Sequence, residues 1–86
     1  MSEDEIVAVL SATDVRRVFL FRFINGNEVA LTDPWVRTIE GGKRECIATV
    51  VSEAHGVEDV PGSALCFALD EVAEVRPSPK SFEYFR

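Results

Sequence analysis

Residues 15–24 read V-R-R-V-F-L-F-R-F-I, the longest and most aromatic apolar run in the chain. At period two, Val15, Arg17, Phe19, Phe21 and Phe23 fall on one face, and Arg16, Val18, Leu20, Arg22 and Ile24 on the other. That alternation is what a strand needs, because neighbouring side chains point to opposite sides of the pleat. Neither face is cleanly polar, so the pattern predicts an interior strand covered on both sides over part of its length. β-Branched and aromatic residues favour strand over helix, although Val15, Val18, Phe19 and Arg22 also recur at helical spacing. Asn25-Gly26 then breaks the run, and Glu28-Val29-Ala30-Leu31 resumes an extended pattern. Asn-Gly adopts the positive-φ geometry of a tight turn, so the expectation is a β-hairpin.

Upstream, Ser2 and Glu5 have the spacing of a capping box, which would start a short helix over residues 6–10. V-A-V-L within that segment reads equally as a first strand ending at Ser11-Ala12-Thr13-Asp14, and pattern alone leaves both open. Downstream comes T-D-P-W-V-R-T-I-E-G-G. Asp33 can cap a helix, Pro34 suits its first position and Gly41-Gly42 can stop it, which predicts one helical turn carrying Trp35, Val36 and Ile39. The alternative is an extended segment with Pro34 at its start and Val36, Thr38 and Glu40 on one face.

Residues 45–52 read as the next strand, with Ile47, Thr49 and Val51 on one face and Cys46, Ala48, Val50 and Ser52 on the other. Residues 53–63 form a polar link with Gly56, Pro61 and Gly62. It exceeds a minimal hairpin loop and is the best candidate for a recognition loop. Residues 64–69 return to strand: Leu65, Phe67 and Leu69 are large and share the face that fills the core. Ala64, Cys66 and Ala68 are small, and their face would let a helix or another subunit approach closely. Asp70-Glu71 makes a turn before a final short strand at residues 72–76, and Pro77 and Pro79 end regular structure.

A chain of 86 residues permits one domain, 1–86, with residues 77–86 an irregular tail. The expected class is mainly β. Its layout resembles a small, partly closed SH3-like or Sm-like barrel with a possible short amino-terminal helix, since closure suppresses free sheet edges. A two-layer α+β antiparallel sheet is the alternative.

Nine basic and fifteen acidic residues give a net charge of −6, which disfavours nonspecific binding to nucleic acid or an anionic membrane. No apolar run approaches the roughly 20 residues that span a bilayer, and the acidic start S-E-D-E lacks the basic character of a secretory signal. Cys46 and Cys66 have neither C-x-x-C spacing nor a disulfide framework, so reduced thiols in the cytoplasm are expected.

No complete catalytic or metal-binding constellation is present, and the expectation is a protein that is not an enzyme and uses no cofactor. His55 with Glu53, Glu58 or Asp59 has ligand chemistry, but a single histidine in a polar loop reads first as solvated. Both cysteines read as inert buried thiols. Arg16, Arg17 and Arg22 are the concentrated basic feature and the candidate phosphate contacts; Arg37, Lys43 and Arg44 would have to join them beside Trp35 to make an RNA-binding surface.

Trp35, Phe82, Tyr84 and Phe85 are candidate interaction residues, since aromatic side chains supply rigid contact area. Closure of the core is the competing role for Trp35, and packing on its own chain is the competing role for the tail. The acidic residues Glu53, Glu58 and Asp59, with Asp70, Glu71 and Glu74, would either attract a basic partner or form a solvated face. The leading expectation is a noncatalytic protein-interaction or regulatory module that forms homo-oligomers or binds a protein partner. A nucleic-acid-binding barrel using Arg16, Arg17 and Arg22 is second. A small-ligand protein with an aromatic pocket at a subunit interface is third.

Overall fold

The computed structural model describes residues 1–14, 16–52 and 62–78, with Ser52 described by its backbone alone. They form a helix, α1 (Glu3–Ala12), and five strands: β1 (Phe19–Phe23), β2 (Glu28–Thr38), β3 (Arg44–Ser52), β4 (Ala64–Ala68) and β5 (Val72–Pro77). All neighbouring strands are antiparallel, in the order β4-β3-β2-β1-β5. The sheet is not closed, so β4 and β5 are its two edges. The chain is mainly β, as its alternating patterns predict.

The amino-terminal segment is helical. Ser2 accepts the Glu5 backbone N–H and Glu5 accepts the Ser2 backbone N–H, so both halves of the capping box form. Ile6 and Leu10, four residues apart, bury one face of α1 in the core. Arg44 at the start of β3 ties down the other end of this contact through Glu3 at 3.3 Å and Asp4 at 3.1 Å.

Within the run at residues 15–24, strand β1 covers Phe19–Phe23, and Arg16 and Arg17 precede it in a turn. Asp14 Oδ1 accepts the Arg16 backbone N–H and the Asp14 carbonyl accepts that of Arg17. This side-chain turn competes with the ladder and delays the strand. Within β1, Phe19 and Phe21 are fully buried in the main core with Val29, Leu31, Cys46, Val50, Phe67, Leu69 and Val75. On the opposite face Val18 joins Ala30 and Val51 in a second, smaller cluster with Leu20 against it. Both faces of the strand are therefore covered over part of its length, as the sequence predicts.

Its hairpin is wider than a two-residue Asn-Gly turn. The Gly26 N–H donates to the Phe23 carbonyl and the Phe23 N–H to that of Asn27, leaving Ile24, Asn25 and Gly26 as the connection. Gly26 has φ +92° while Asn25 is not left-handed, which matches a three-residue loop with glycine in the bulge position.

Residues 33–38 are strand, not the helical turn that Asp33-Pro34 predicts. Pro34 also lies inside β2, not at the start of a strand. The register with β3 shifts between Thr32 and Trp35, and Asp33 has φ +50°. A bulge at this point accommodates a proline that has no N–H to give the ladder. The Thr32 hydroxyl, buried just before it, donates to the carbonyls of Arg16 and Arg17 at 3.3 and 3.1 Å. Gly41 and Gly42, both at positive φ, form the 3₁₀ turn Glu40–Gly42 that ends β2. A second such turn, Leu69–Glu71, separates β4 from β5.

Candidate interaction surface

Directly opposed residues of an antiparallel ladder point to the same face of the sheet. Val36, Cys46 and Phe67 lie opposite one another across β2, β3 and β4 and face the core. One step along, Trp35 lies opposite Ile47, and Ile47 opposite Cys66. This second row faces outward. Trp35 is 60% exposed, Ile47 is half-buried and Cys66 is exposed. The result is an apolar row that begins at the β2 bulge, crosses the outer face and ends at a sheet edge.

The exposure of Trp35 overturns its role as a core-closing residue. The bulge at Asp33-Pro34 sets the parity that turns its indole outward. Cys66 likewise is not the buried thiol expected, because the small outward face of β4 has no layer over it. Cys46 is buried, and burial pushes its thiol pKa up to about 11. Leu65 and Phe67 supply the core-facing side of β4, as their size predicts, and Leu69, in the 3₁₀ turn that follows, is buried in the same core; Phe67 meets Phe21 and Phe23 edge-on at 5.3 and 5.0 Å between ring centres. Ile47, the centre of the outer row, carries no signal in the sequence. It becomes visible only when three strands are placed in register.

The edge at β4 is chemically open. Val50 donates to the Ser63 carbonyl and accepts from the Gly62 N–H, with Gly62 at φ +89°, the bonding of a glycine bulge. Counting along the ladder, Leu65 and Phe67 then bond to β3, and the backbone N–H and C=O groups of Ala64, Cys66 and Ala68 point away from the sheet. Among the described residues no strand pairs with this edge, and β4 carries neither a charge nor a proline, although it is short and is entered through the Gly62 bulge. The β5 edge differs: its register with β1 shifts between Arg22 and Phe23, and it ends in Pro77.

The candidate phosphate contacts are dispersed and engaged. Arg16 forms a fork with Asp14, with hydrogen bonds of 3.2 and 2.9 Å; these side-chain bonds, with that of the Arg16 backbone, hold the Asp14 carboxyl at a pKa of about 2, and the side-chain bonds raise that of Arg16. Arg17 donates to the Ser78 carbonyl at 2.8 Å, and Arg22 pairs with Glu74 at 2.9 Å near the far end of β1. Arg37 shares the outer face with Trp35 but pairs with Glu45 at 3.0 Å, while Arg44 is held at α1.

Val15, the loop residues Glu53, His55, Glu58 and Asp59, and the aromatic residues Phe82, Tyr84 and Phe85 lie outside the described residues. Among the described residues, no three potential ligands gather in a metal-binding group, and no helix is long and apolar enough to cross a membrane. Among the described residues, one cleft of about 160 Å³ is lined by Glu3, Gly41–Arg44, Ala68 and Asp70, and another of about 300 Å³ by Phe23–Asn25 and Glu71. Trp35 lines neither. No family model, curated protein or solved structure matches the chain.

Proposed function

We propose that this chain is a noncatalytic interaction module that binds protein, including further copies of itself, through the outer face of β2, β3 and β4. The observation that carries this reading is the in-register row Trp35–Ile47–Cys66, which leaves a large aromatic side chain in solvent and runs to the edge strand of the sheet. Exposed apolar area of this kind is removed from water most readily by another polypeptide. The left-handed Asp33 beside it adds a locally strained backbone of the sort that concentrates at recognition sites. The strand order, the helix before β1 and the 3₁₀ turn between β4 and β5 support an SH3-like or Sm-like barrel left partly open. Free thiols support a place in the cytoplasm.

Solution mass over a broad concentration range, for the native chain and for Trp35→Ala, tests the reading. Association weakened by the substitution is the expected result, and a strict monomer at every concentration counts against it. The nucleic-acid alternative gains from no observed cluster of free guanidinium groups. A low-salt titration with single-stranded RNA and duplex DNA separates the two, and tight, salt-sensitive binding there would favour the arginines.

A further inference from the structure

We propose that the β4 edge pairs with the β4 edge of a second copy, antiparallel and centred on Cys66, to give a two-fold dimer. This rests on the interaction-module reading and supplies its partner and register. The backbone groups that point outward belong to Ala64, Cys66 and Ala68, which are spaced symmetrically about Cys66. An antiparallel match about that residue sets Ala64 against Ala68 of the second copy, Cys66 against Cys66, and Ala68 against Ala64. Each of these pairs exchanges two N–H···O=C bonds, so every outward donor and acceptor of the strand is used. A shift of the centre by two residues strands part of the set. Such self-complementarity meets the requirement of an isologous interface.

The outer-face side chains fit the same arrangement. The row Trp35–Ile47–Cys66 becomes continuous with its symmetry mate, joining two short apolar rows into one. The next row, Arg37–Glu45–Ala68, meets Ala64 and Thr49 of the second copy, so a charged pair faces uncharged neighbours. Within β4 itself no residue is charged, so the paired strands bring no like charges together. Pairing β4 with β5 instead is poorer in donors, because Pro77 has no N–H and the β5 register is broken near Arg22.

The experiment uses the whole chain. Ala68→Pro is a mild change within the monomer, because Ala68 has φ −77° and its N–H points away from β3. By symmetry it deletes two intermolecular donors. Sedimentation equilibrium is expected to give a monomer–dimer equilibrium for the native chain, weakened about tenfold or more by Ala68→Pro. Amide exchange at Ala64, Cys66 and Ala68 of the native chain slows as concentration rises, which reports the pairing without any variant. Diamide supplies a third reading: two Cys66 thiols form one S–S bond, and their two protons and two electrons pass to the reagent. A hydrogen-bonded antiparallel pair sets its Cα atoms about 5.5 Å apart, inside the disulfide range of about 4.4–6.8 Å. The linked dimer forms with the native chain, is slowed by Ala68→Pro and is absent from Cys66→Ser.

A monomer at all concentrations overturns both this pairing and the self-association it rests on. An oligomer insensitive to Ala68→Pro, or one that leaves the three amides unprotected, overturns the β4 pairing alone. The interaction-module reading then stands through another surface.

Discussion

Trp35 on β2 stands directly across from Ile47 on β3, and the pair share the outward face of the sheet. A cross-strand pair of this kind stabilises the ladder by a few tenths of a kcal/mol up to about 1 kcal/mol, but with Trp35 at 60% exposure most of its area stays in water. Trp35→Ala is therefore expected to change the stability of the monomer by less than about 1 kcal/mol, while weakening association. Because Trp35 is the single tryptophan of the chain, its fluorescence reads the surface directly. Emission is expected to be that of a solvated indole in dilute solution, and to shift to shorter wavelength with reduced acrylamide quenching when a protein covers the outer face; pairing at the β4 edge, two strands away, leaves it solvated. A blue-shifted, unquenchable indole in the monomer would contradict the outward parity of β2.

The two thiols are expected to react very differently. Cys46 is fully buried and its thiol is held at a pKa of about 11 by desolvation, whereas Cys66 is exposed on the outer face of β4. Since the thiolate is the reactive form, brief alkylation near pH 8 should modify Cys66 alone, and denaturant should expose Cys46. Peptide mass spectrometry separates the two sites. Early modification of Cys46 would mean that the core at β3 opens or is packed differently.

What could be read in advance divides along the range of the deciding interaction. Ser2 and Glu5 offer the start of α1 because both halves of the capping box lie within one turn, but V-A-V-L suits a strand as well, and the packing of Ile6 and Leu10 on the sheet decides for the helix. Asn25-Gly26 announces a hairpin for a similar local reason, and the alternation of large and small residues in β4 announces which side meets the core. Asp33-Pro34 is different, since the same two residues start a helix or sit in a strand bulge. The pairing of β2 with β3 decides between them, and with that choice goes the face of Trp35. The exposure of Cys66 is still less local: it depends on β4 being the last strand in the sheet order. The candidate surface is thus made of residues whose identities were visible but whose juxtaposition is topological.

Phe67 is the core residue whose loss should be felt most clearly on the edge strand. Its ring meets Phe21 at 5.3 Å and Phe23 at 5.0 Å in edge-to-face geometry, joining β4 to β1 across the core. Phe67→Ala removes that bridge and leaves a cavity, at a cost of about 3–5 kcal/mol. For a domain of this size the whole stability is about 4–13 kcal/mol, so a melting temperature lower by about 15 °C or more is expected. Leu65→Ala, at a half-buried position of the same strand, should lower it less. Thermal circular dichroism compares the two, and equal losses would place Phe67 outside the load of the core.

The acid side of the stability profile should carry the signature of the turn that precedes β1. The Asp14 carboxylate accepts from the Arg16 side chain and the Arg16 backbone, and these bonds lower its pKa from the ordinary 3.8 to about 2. A depressed pKa in the folded state means that the interaction stabilises the fold above the ordinary value. The contribution fades as pH falls through the interval from 3.8 to about 2 and is gone below it. Asp14→Asn should flatten stability across that interval. Arg16→Gln should return the Asp14 titration toward 3.8, as followed by its side-chain carboxyl carbon in NMR. Because both side chains are well exposed, added salt should move the native titration in the same direction. A midpoint already near 3.8 in the native chain would mean that the fork between Asp14 and Arg16 is not held in solution. The delayed start of β1 would then rest on backbone bonding in the turn alone.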